Sequence, residues 1–204
     1  MHRWIAVLIV VFSCHVNAED WPRWRGPRGD GTWHGPKLPE KWPEGGLKPK
    51  WKIPIGGGYS GVTVVGQRVF VMDRQKEPET ERVLCFDADS GHQVWKHEYP
   101  VKYGKLDYGN GPRAAPTWHD GKLCTVGALG ECRCLDATTG EKVWSVNYVS
   151  DLQGRLQEWG FAGSAFIDGD NVIVQPGGKD EHSIAALNRH TGKVVWQSHS
   201  DHAG

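Results

Sequence analysis

Apolar and polar positions along the chain alternate in short runs, and no segment sustains an apolar period of 3.6 residues. The runs come in pairs around tight turns. Residues 62–65 and 69–72 flank Gly66-Gln67, residues 115–119 and 123–126 flank Asp120-Gly121, and residues 164–167 and 172–175 flank Asp168-Gly169. Such dipeptides between β-branched runs are a strong short-range hairpin signal. The one helical candidate, residues 150–158, is polar and broken by Gly154, and it predicts at most a short turn of helix. The pattern predicts a nearly all-β chain.

Downstream of each hairpin the same phrase recurs. Residues 85–95 read Cys-Phe-Asp-Ala-Asp-Ser-Gly-His-Gln-Val-Trp, residues 134–144 Cys-Leu-Asp-Ala-Thr-Thr-Gly-Glu-Lys-Val-Trp, and residues 186–196 Ala-Leu-Asn-Arg-His-Thr-Gly-Lys-Val-Val-Trp. Each copy has one physical reading. A small and an apolar residue end a strand. Asp or Asn opens a turn on its own backbone, Ser or Thr supports it, and Gly takes the positive-φ position. A second strand then carries a β-branched residue and Trp. Trp95, Trp144 and Trp196 fall 49 and 52 residues apart, a period that belongs to propellers and repeat arrays. Each repeat therefore predicts a four-stranded antiparallel blade of a β-propeller, near residues 60–98, 113–148 and 161–199.

Trp51 reads as the outer strand of a blade whose other strands do not precede it, and Gly204 follows Trp196 where another inner strand is due. The expectation is three blades plus one strand, an incomplete ring. The simplest account is the N-terminal part of a longer propeller, with remaining blades in cis. Assembly from several chains and an open solenoid with exposed edges stay as alternatives.

Composition narrows the picture. With 24 basic and 24 acidic residues the formal charge is +0, and no basic run stands out, which argues against nucleic acid or an anionic membrane as partner. Residues 1–18 read as a secretory signal: a short basic start, an apolar core too short for a mature membrane span, and Val16-Asn17-Ala18 as cleavage pattern. Cys14 sits in a weak lipoprotein-like box spoiled by Phe12. The expected location is periplasmic or extracellular. Residues 19–48, dense in Pro, Gly, Trp and Arg, read as an arm lying across the array, pinned by Trp21 and Trp24. Arg23, Arg25 and Arg28 could alternatively hold an anion. Residues 49–204 carry the repeats. The remaining cysteines read as small buried residues, with a Cys124 pairing to Cys132 or Cys134 left open.

The three phrases resemble the tryptophan-docking motif, Ala-x-Asp-x-x-Thr-Gly-x-x-x-Trp, of the pyrroloquinoline-quinone (PQQ) repeat family. The first position is Cys, Cys and Ala, the third Asp, Asp and Asn, and Ser/Thr, Gly and Trp hold positions six, seven and eleven. The resemblance covers about residues 51–200. It implies that Trp95, Trp144 and Trp196, with Gly91, Gly140 and Gly192, dock neighbouring blades. The family includes quinoprotein alcohol dehydrogenases and a propeller lipoprotein that helps assemble outer-membrane barrels. It therefore implies either part of a quinoprotein-dehydrogenase-like protein, oxidising an alcohol or sugar with PQQ and Ca²⁺, or a non-catalytic scaffold for protein partners in the envelope. A fragment without activity of its own is the third alternative. The motif is shared by catalytic and non-catalytic members, so whether the chain is an enzyme stays open.

In a propeller, the segments before the innermost strands converge on one channel mouth. Here these are residues 56–60, 109–113 and 158–162, which makes Tyr59, Arg113 and Trp159 the candidate cofactor-binding residues for a small molecule or protein partner. Arg113 suits a carboxylate and Trp159 a planar ring, and PQQ is planar with three carboxylates. The alternative is that Tyr59 and Trp159 pack the funnel while Arg113 pairs with a local acid. Residues 56–58, three consecutive glycines, precede a strand and lack the Gly-Lys-Ser/Thr ending of a phosphate loop. His199 and His202 read as surface histidines. No metal-ligand set, catalytic base or vicinal Cys-Cys pair can be assigned from the sequence.

Overall fold

The computed structural model describes residues 19–201, so the leader, Cys14 and His202 lie outside the described residues. Among the described residues twelve strands form three four-stranded antiparallel sheets in sequence order. The first holds β1 (Thr63–Val65), β2 (Arg68–Gln75), β3 (Thr80–Asp87) and β4 (Gln93–Pro100). The second holds β5 (Thr117–His119), β6 (Lys122–Val126), β7 (Glu131–Asp136) and β8 (Lys142–Asn147). The third holds β9 (Phe166–Asp168), β10 (Asn171–Val174), β11 (Ile184–Asn188) and β12 (Val194–Ser198). These are three propeller blades that do not close into a ring. Among the described residues there is no helix, and residues 150–158 form turns and extended chain. Among the described residues no helix is long and apolar enough to cross a membrane. Trp51 lies in extended chain outside any strand.

The turn chemistry repeats in all three blades. Asp87 Oδ1 accepts from Ser90 N at 2.8 Å and Ser90 Oγ at 2.7 Å. Asp136 Oδ1 accepts from Thr138 N at 2.9 Å, and Asn188 Oδ1 from Thr191 N at 3.1 Å. Gly91, Gly140 and Gly192 follow with φ of 73°, 76° and 72°, a conformation cheap for glycine alone. A register shift beside each turn sets Cys85 opposite Trp95, Cys134 opposite Trp144 and Ala186 opposite Trp196. The small residue leaves room for the indole across the sheet. One hairpin departs from expectation: β9 runs through Asp168, so its turn is Gly169-Asp170, one residue later than the dipeptide signal placed it.

Blade faces meet through indoles. Trp95 Nε1 donates to Ala137 O at 3.1 Å, and a Cβ on Gly140 would lie 2.6 Å from the Trp95 ring. Trp144 repeats this on the third blade, donating to Arg189 O at 2.8 Å and covering Gly192. Trp51 repeats it on the first blade, donating to Ala88 O at 2.9 Å over Gly91, while Ile53 packs against Val71, Leu84 and Phe86. Trp196 has no such acceptor among the described residues and is 42% exposed. Inner strands are stitched as well: Thr63 Oγ1 donates to Pro116 O at 2.5 Å and Thr117 Oγ1 to Ala165 O at 2.7 Å.

Four cysteines (Cys85, Cys124, Cys132 and Cys134) are buried in these interfaces as free thiols. Cys124 faces Cys134 directly across β6 and β7. Burial pushes Cys85 up to about 11 and Cys132 up to about 12, so both stay protonated at neutral pH.

The arm crosses the inner strands. Trp21 pairs with Val64 through two backbone hydrogen bonds, of 2.7 and 3.0 Å, Trp118 N donates to Pro22 O at 2.7 Å, and Arg23 stacks on Phe166. It thus touches all three blades. Trp21 pins it, with its ring over Gly26. Trp24 is 64% exposed, with its ring edge 3.8 Å from where a Cβ on Gly61 would stand. The arm's first turn is tied by Glu19, which accepts from Arg28 Nη1 at 2.5 Å and from His34 N at 2.8 Å. The Arg28 hydrogen bonds chiefly, then His34 N–H, hold the Glu19 carboxyl down from 4.5 to about 2. A lowered carboxylate favours the tied arm above its ordinary value, and that contribution vanishes as pH falls through the lowered one. A ¹³C titration of the Glu19 carboxyl is expected to show a midpoint near 2, with the His34 amide shifting in step. A midpoint near 4.5 would mean the tie does not form in solution.

Candidate functional site

Antiparallel order puts the start of β1, the β2–β3 and β6–β7 turns and the ends of β4 and β8 at one end of the array, opposite the Asx-Gly turns. The glycines of residues 56–58 permit tight backbone approach here. A Cβ on Gly56 would sit 2.2 Å from Arg74 O, and one on Gly111 would sit 2.8 Å from Gly58 Cα. Gly57 also pairs with Arg74 through backbone hydrogen bonds of 3.1 and 2.7 Å.

This end brings Tyr59 and Arg113 together. The Arg113 guanidinium lies 5.4 Å over the Tyr59 ring, and the Tyr59 hydroxyl donates to Tyr108 O. Arg113 donates to three carbonyls of its own loop, those of Asp107 at 3.0 Å, Gly109 at 2.5 Å and Gly111. Trp159 is half-buried, and its segment reaches the same loop through Asp107 N donating to Glu158 O at 2.9 Å. Tyr59 and Tyr108 are 58% and 83% exposed, and Tyr108 holds φ at 62°. Two aromatics are thus displayed at the rim, one of them in a backbone conformation that is uncommon outside glycine.

Beneath the rim lie charged groups that the sequence reading missed. Glu81 is fully buried and accepts from the Tyr99 hydroxyl at 2.6 Å, from the Tyr103 hydroxyl and from Ala128 N at 3.0 Å. One carboxylate thereby ties β3, β4, the chain after β4 and the β6–β7 turn of the next blade. Burial first, then the Glu81 charge, raises both tyrosine hydroxyls, so they remain protonated donors. Arg133 stacks 4.0 Å over the Tyr99 ring and pairs with Glu131. Buried Asp73 accepts from Arg82 Nε at 2.7 Å and Nη2 at 2.5 Å, and from Gly56 N at 2.5 Å. The signal for Glu81 was its parity: on β3 it alternates in phase with Val83 and Cys85, which face the core. A charged residue at a core-facing position needs partners.

Chemically, this end is a charged hydrogen-bonded network beneath an aromatic rim, in which buried Arg74 Nε and Arg133 Nε have no hydrogen-bond partner among the described residues. The donors of Arg113 that would grip a carboxylate are turned into its own loop. Among the described residues no three His, Cys, Asp or Glu side chains converge to hold a metal ion. These residues do not fit a carboxylated quinone with its cation.

Comparison with known proteins places the repeats. The chain is 25% identical over 118 residues to the outer membrane protein assembly factor BamB of Burkholderia pseudomallei (strain K96243), covering 57% of this chain and 27% of that protein. It is 31% identical over 120 residues to the dehydrogenase subunit of the quinone alcohol dehydrogenase of Gluconacetobacter polyoxogenes, covering 54% and 16%. The matches thus span about a quarter or less of these relatives' lengths. Among solved structures, a europium-containing methanol dehydrogenase superposes with a TM-score of 0.52 at 21% identity, over 69% of this chain and 24% of that one. The quinohemoprotein alcohol dehydrogenase of Comamonas testosteroni gives 0.50 at 22% identity, over 69% and 21%. These structures establish the propeller fold alone. A family model described as outer membrane protein assembly factor BamB matches residues 79–204, more than half of the chain, and the chain belongs to this PQQ-like repeat family.

Proposed function

We propose that the chain is an exported PQQ-like propeller segment whose channel-mouth rim is a binding surface for a protein partner. Residues 1–18 direct export and are removed, residues 19–48 form the arm, and residues 49–204 carry the blades, docked through Trp95 and Trp144. The observation that carries this reading is the Tyr59–Tyr108 pair, exposed at the rim and held by Arg113. Rigid, exposed tyrosines are the residues that protein interfaces enrich. The arrangement below them supports a scaffold, since the buried Glu81 carboxylate there joins the first blade to Ala128 N of the second. A photo-crosslinker at position 108, in cells exporting the full chain, is expected to give one discrete adduct that Tyr59→Ser removes. No adduct, or an unchanged one in Tyr59→Ser, contradicts the reading.

A second reading has its own support in the 31% identity to quinone alcohol dehydrogenase subunits. On that reading the segment belongs to a dehydrogenase-like propeller acting on an alcohol or sugar, with PQQ and Ca²⁺ held mainly by groups outside the residues described. Gel filtration with PQQ and Ca²⁺ of the protein purified from its own cells, together with any further blades or chains that complete its ring, separates the two. The scaffold reading expects the quinone absorbance to elute apart from the protein, and stoichiometric co-elution would establish the second.

A further inference from the structure

We propose a second binding site, away from the mouth: the cleft between the arm and β9 takes a sugar ring bearing an oxyanion, such as a uronate or a sulfated sugar. The cleft is about 360 Å³ and is lined by Arg23, Trp24, Arg25, Ser164, Phe166 and Gln175 among others, with no acidic residue. Its size suits one or two rings.

Charge points to an anion. Arg28, Arg68, Arg74, Arg82, Arg133 and Arg189 each pair with a carboxylate. Arg23 and Arg25 have none among the described residues. Arg23 donates through Nε to Gly26 O at 3.3 Å and through Nη2 to Pro27 O at 2.8 Å, which leaves Nη1 unused. Arg25 makes one bond, from Nη2 to Asp30 O at 3.2 Å. Two guanidiniums on one cleft, short of acceptors and free of acids, suit an oxyanion gripped by paired N–H donors.

The backbone says the same. Residues 23–26 form a turn closed by Gly26 N donating to Arg23 O at 3.0 Å, and Arg25 takes the third position with φ at 62°. Glycine or asparagine would occupy that position at less cost. An arginine kept in left-handed backbone, with its side chain on the cleft, points to use of the guanidinium.

The other walls choose the body of the ligand. Trp24 and Phe166 are 64% and 51% exposed, and Arg23 lies 5.0 Å over one face of Phe166. Trp24 offers the cleft an indole with no cation stacked on it, a surface suited to the apolar face of a ring. Opposite it, Ser164 Oγ accepts from Ala115 N at 2.9 Å and keeps its own proton to donate, and the Gln175 amide is exposed and without a partner among the described residues. One stacking face, neutral hydrogen-bonding groups and two cations match a sugar with an apolar face, hydroxyls and one acidic substituent.

The test uses the full chain with methyl glucuronoside, methyl glucoside and inorganic sulfate, followed by tryptophan fluorescence. The uronide is expected to bind at least about tenfold more tightly than the neutral glucoside, with sulfate competing. Arg25→Gly is expected to weaken uronide binding by about tenfold or more while leaving the melting temperature unchanged or higher, because glycine relaxes the backbone. Trp24→Ser, at an exposed position, is expected to weaken binding without loss of fold. Equal affinity for uronide and glucoside, unchanged binding in Arg25→Gly, or binding of sulfate alone would each overturn the proposal.

Discussion

Trp95→Ala is expected to destabilise the protein by about 3–5 kcal/mol, the range for losing a buried aromatic side chain. Trp144→Ala should cost a similar amount, and Trp196→Ala less than about 1 kcal/mol, as for most exposed substitutions. The three residues stand at one repeat position, so intrinsic propensity cannot separate them. What differs is the face each one meets. Trp95 and Trp144 are 8% and 7% exposed, each with its indole N–H bonded to a carbonyl of the next blade and its ring on that blade's glycine. Trp196 is 42% exposed and meets no such turn among the described residues. Urea denaturation followed by circular dichroism reads the difference. Equal losses in all three variants would show that the indoles matter within their own blades rather than between them.

Glu81→Ala is expected to cost about 3 kcal/mol or more. Removing the carboxylate strands the Tyr99 and Tyr103 hydroxyls and Ala128 N without their acceptor in a buried site, and each stranded donor costs about 1–3 kcal/mol. Glu81→Gln keeps an acceptor oxygen and the side-chain volume, so it should cost clearly less than alanine. Tyr99→Phe removes one of the donors and should cost about 1 kcal/mol. Thermal melts of the three variants check the order. A Glu81→Ala variant as stable as the parent would mean the network is not a joint between the first two blades.

How much of this was legible depended on range. The Asx-Gly turns depend on four or five consecutive residues, and Asp87, Asp136 and Asn188 form the side-chain bonds their spacing implied. Their recurrence carried the blade count, because a hairpin repeated in phase constrains a fold more than any single hairpin does. The third hairpin slipped by one residue because Gly169 and Asp168 both tolerate turn geometry, and pairing with β10 decides between them. Trp51 looked like a strand from its phase, yet its extended segment joins no sheet. At the mouth, proximity of Tyr59 and Arg113 followed from topology, whereas the use of Arg113 on its own loop carbonyls depends on the path of residues 106–111, which no local pattern encodes. Composition alone groups Trp24 with Trp21 as an anchor. The turn at residues 23–26 separates them, leaving Trp21 half-buried and Trp24 exposed.

The account stands on indoles seated on the glycines of the neighbouring blade, and a double-mutant cycle between Trp95 and Gly140 tests that seat most directly. Gly140→Ala adds a Cβ where the Trp95 ring stands 2.6 Å away, at a φ of 76°. In the Trp95→Ala background the collision is gone and only backbone strain remains. The account predicts that the double variant loses at least about 1 kcal/mol less than the sum of the two single variants, within the range measured for contacting residues. Additivity to within about 0.3 kcal/mol would contradict it, because the indole and the glycine would then not be touching in solution.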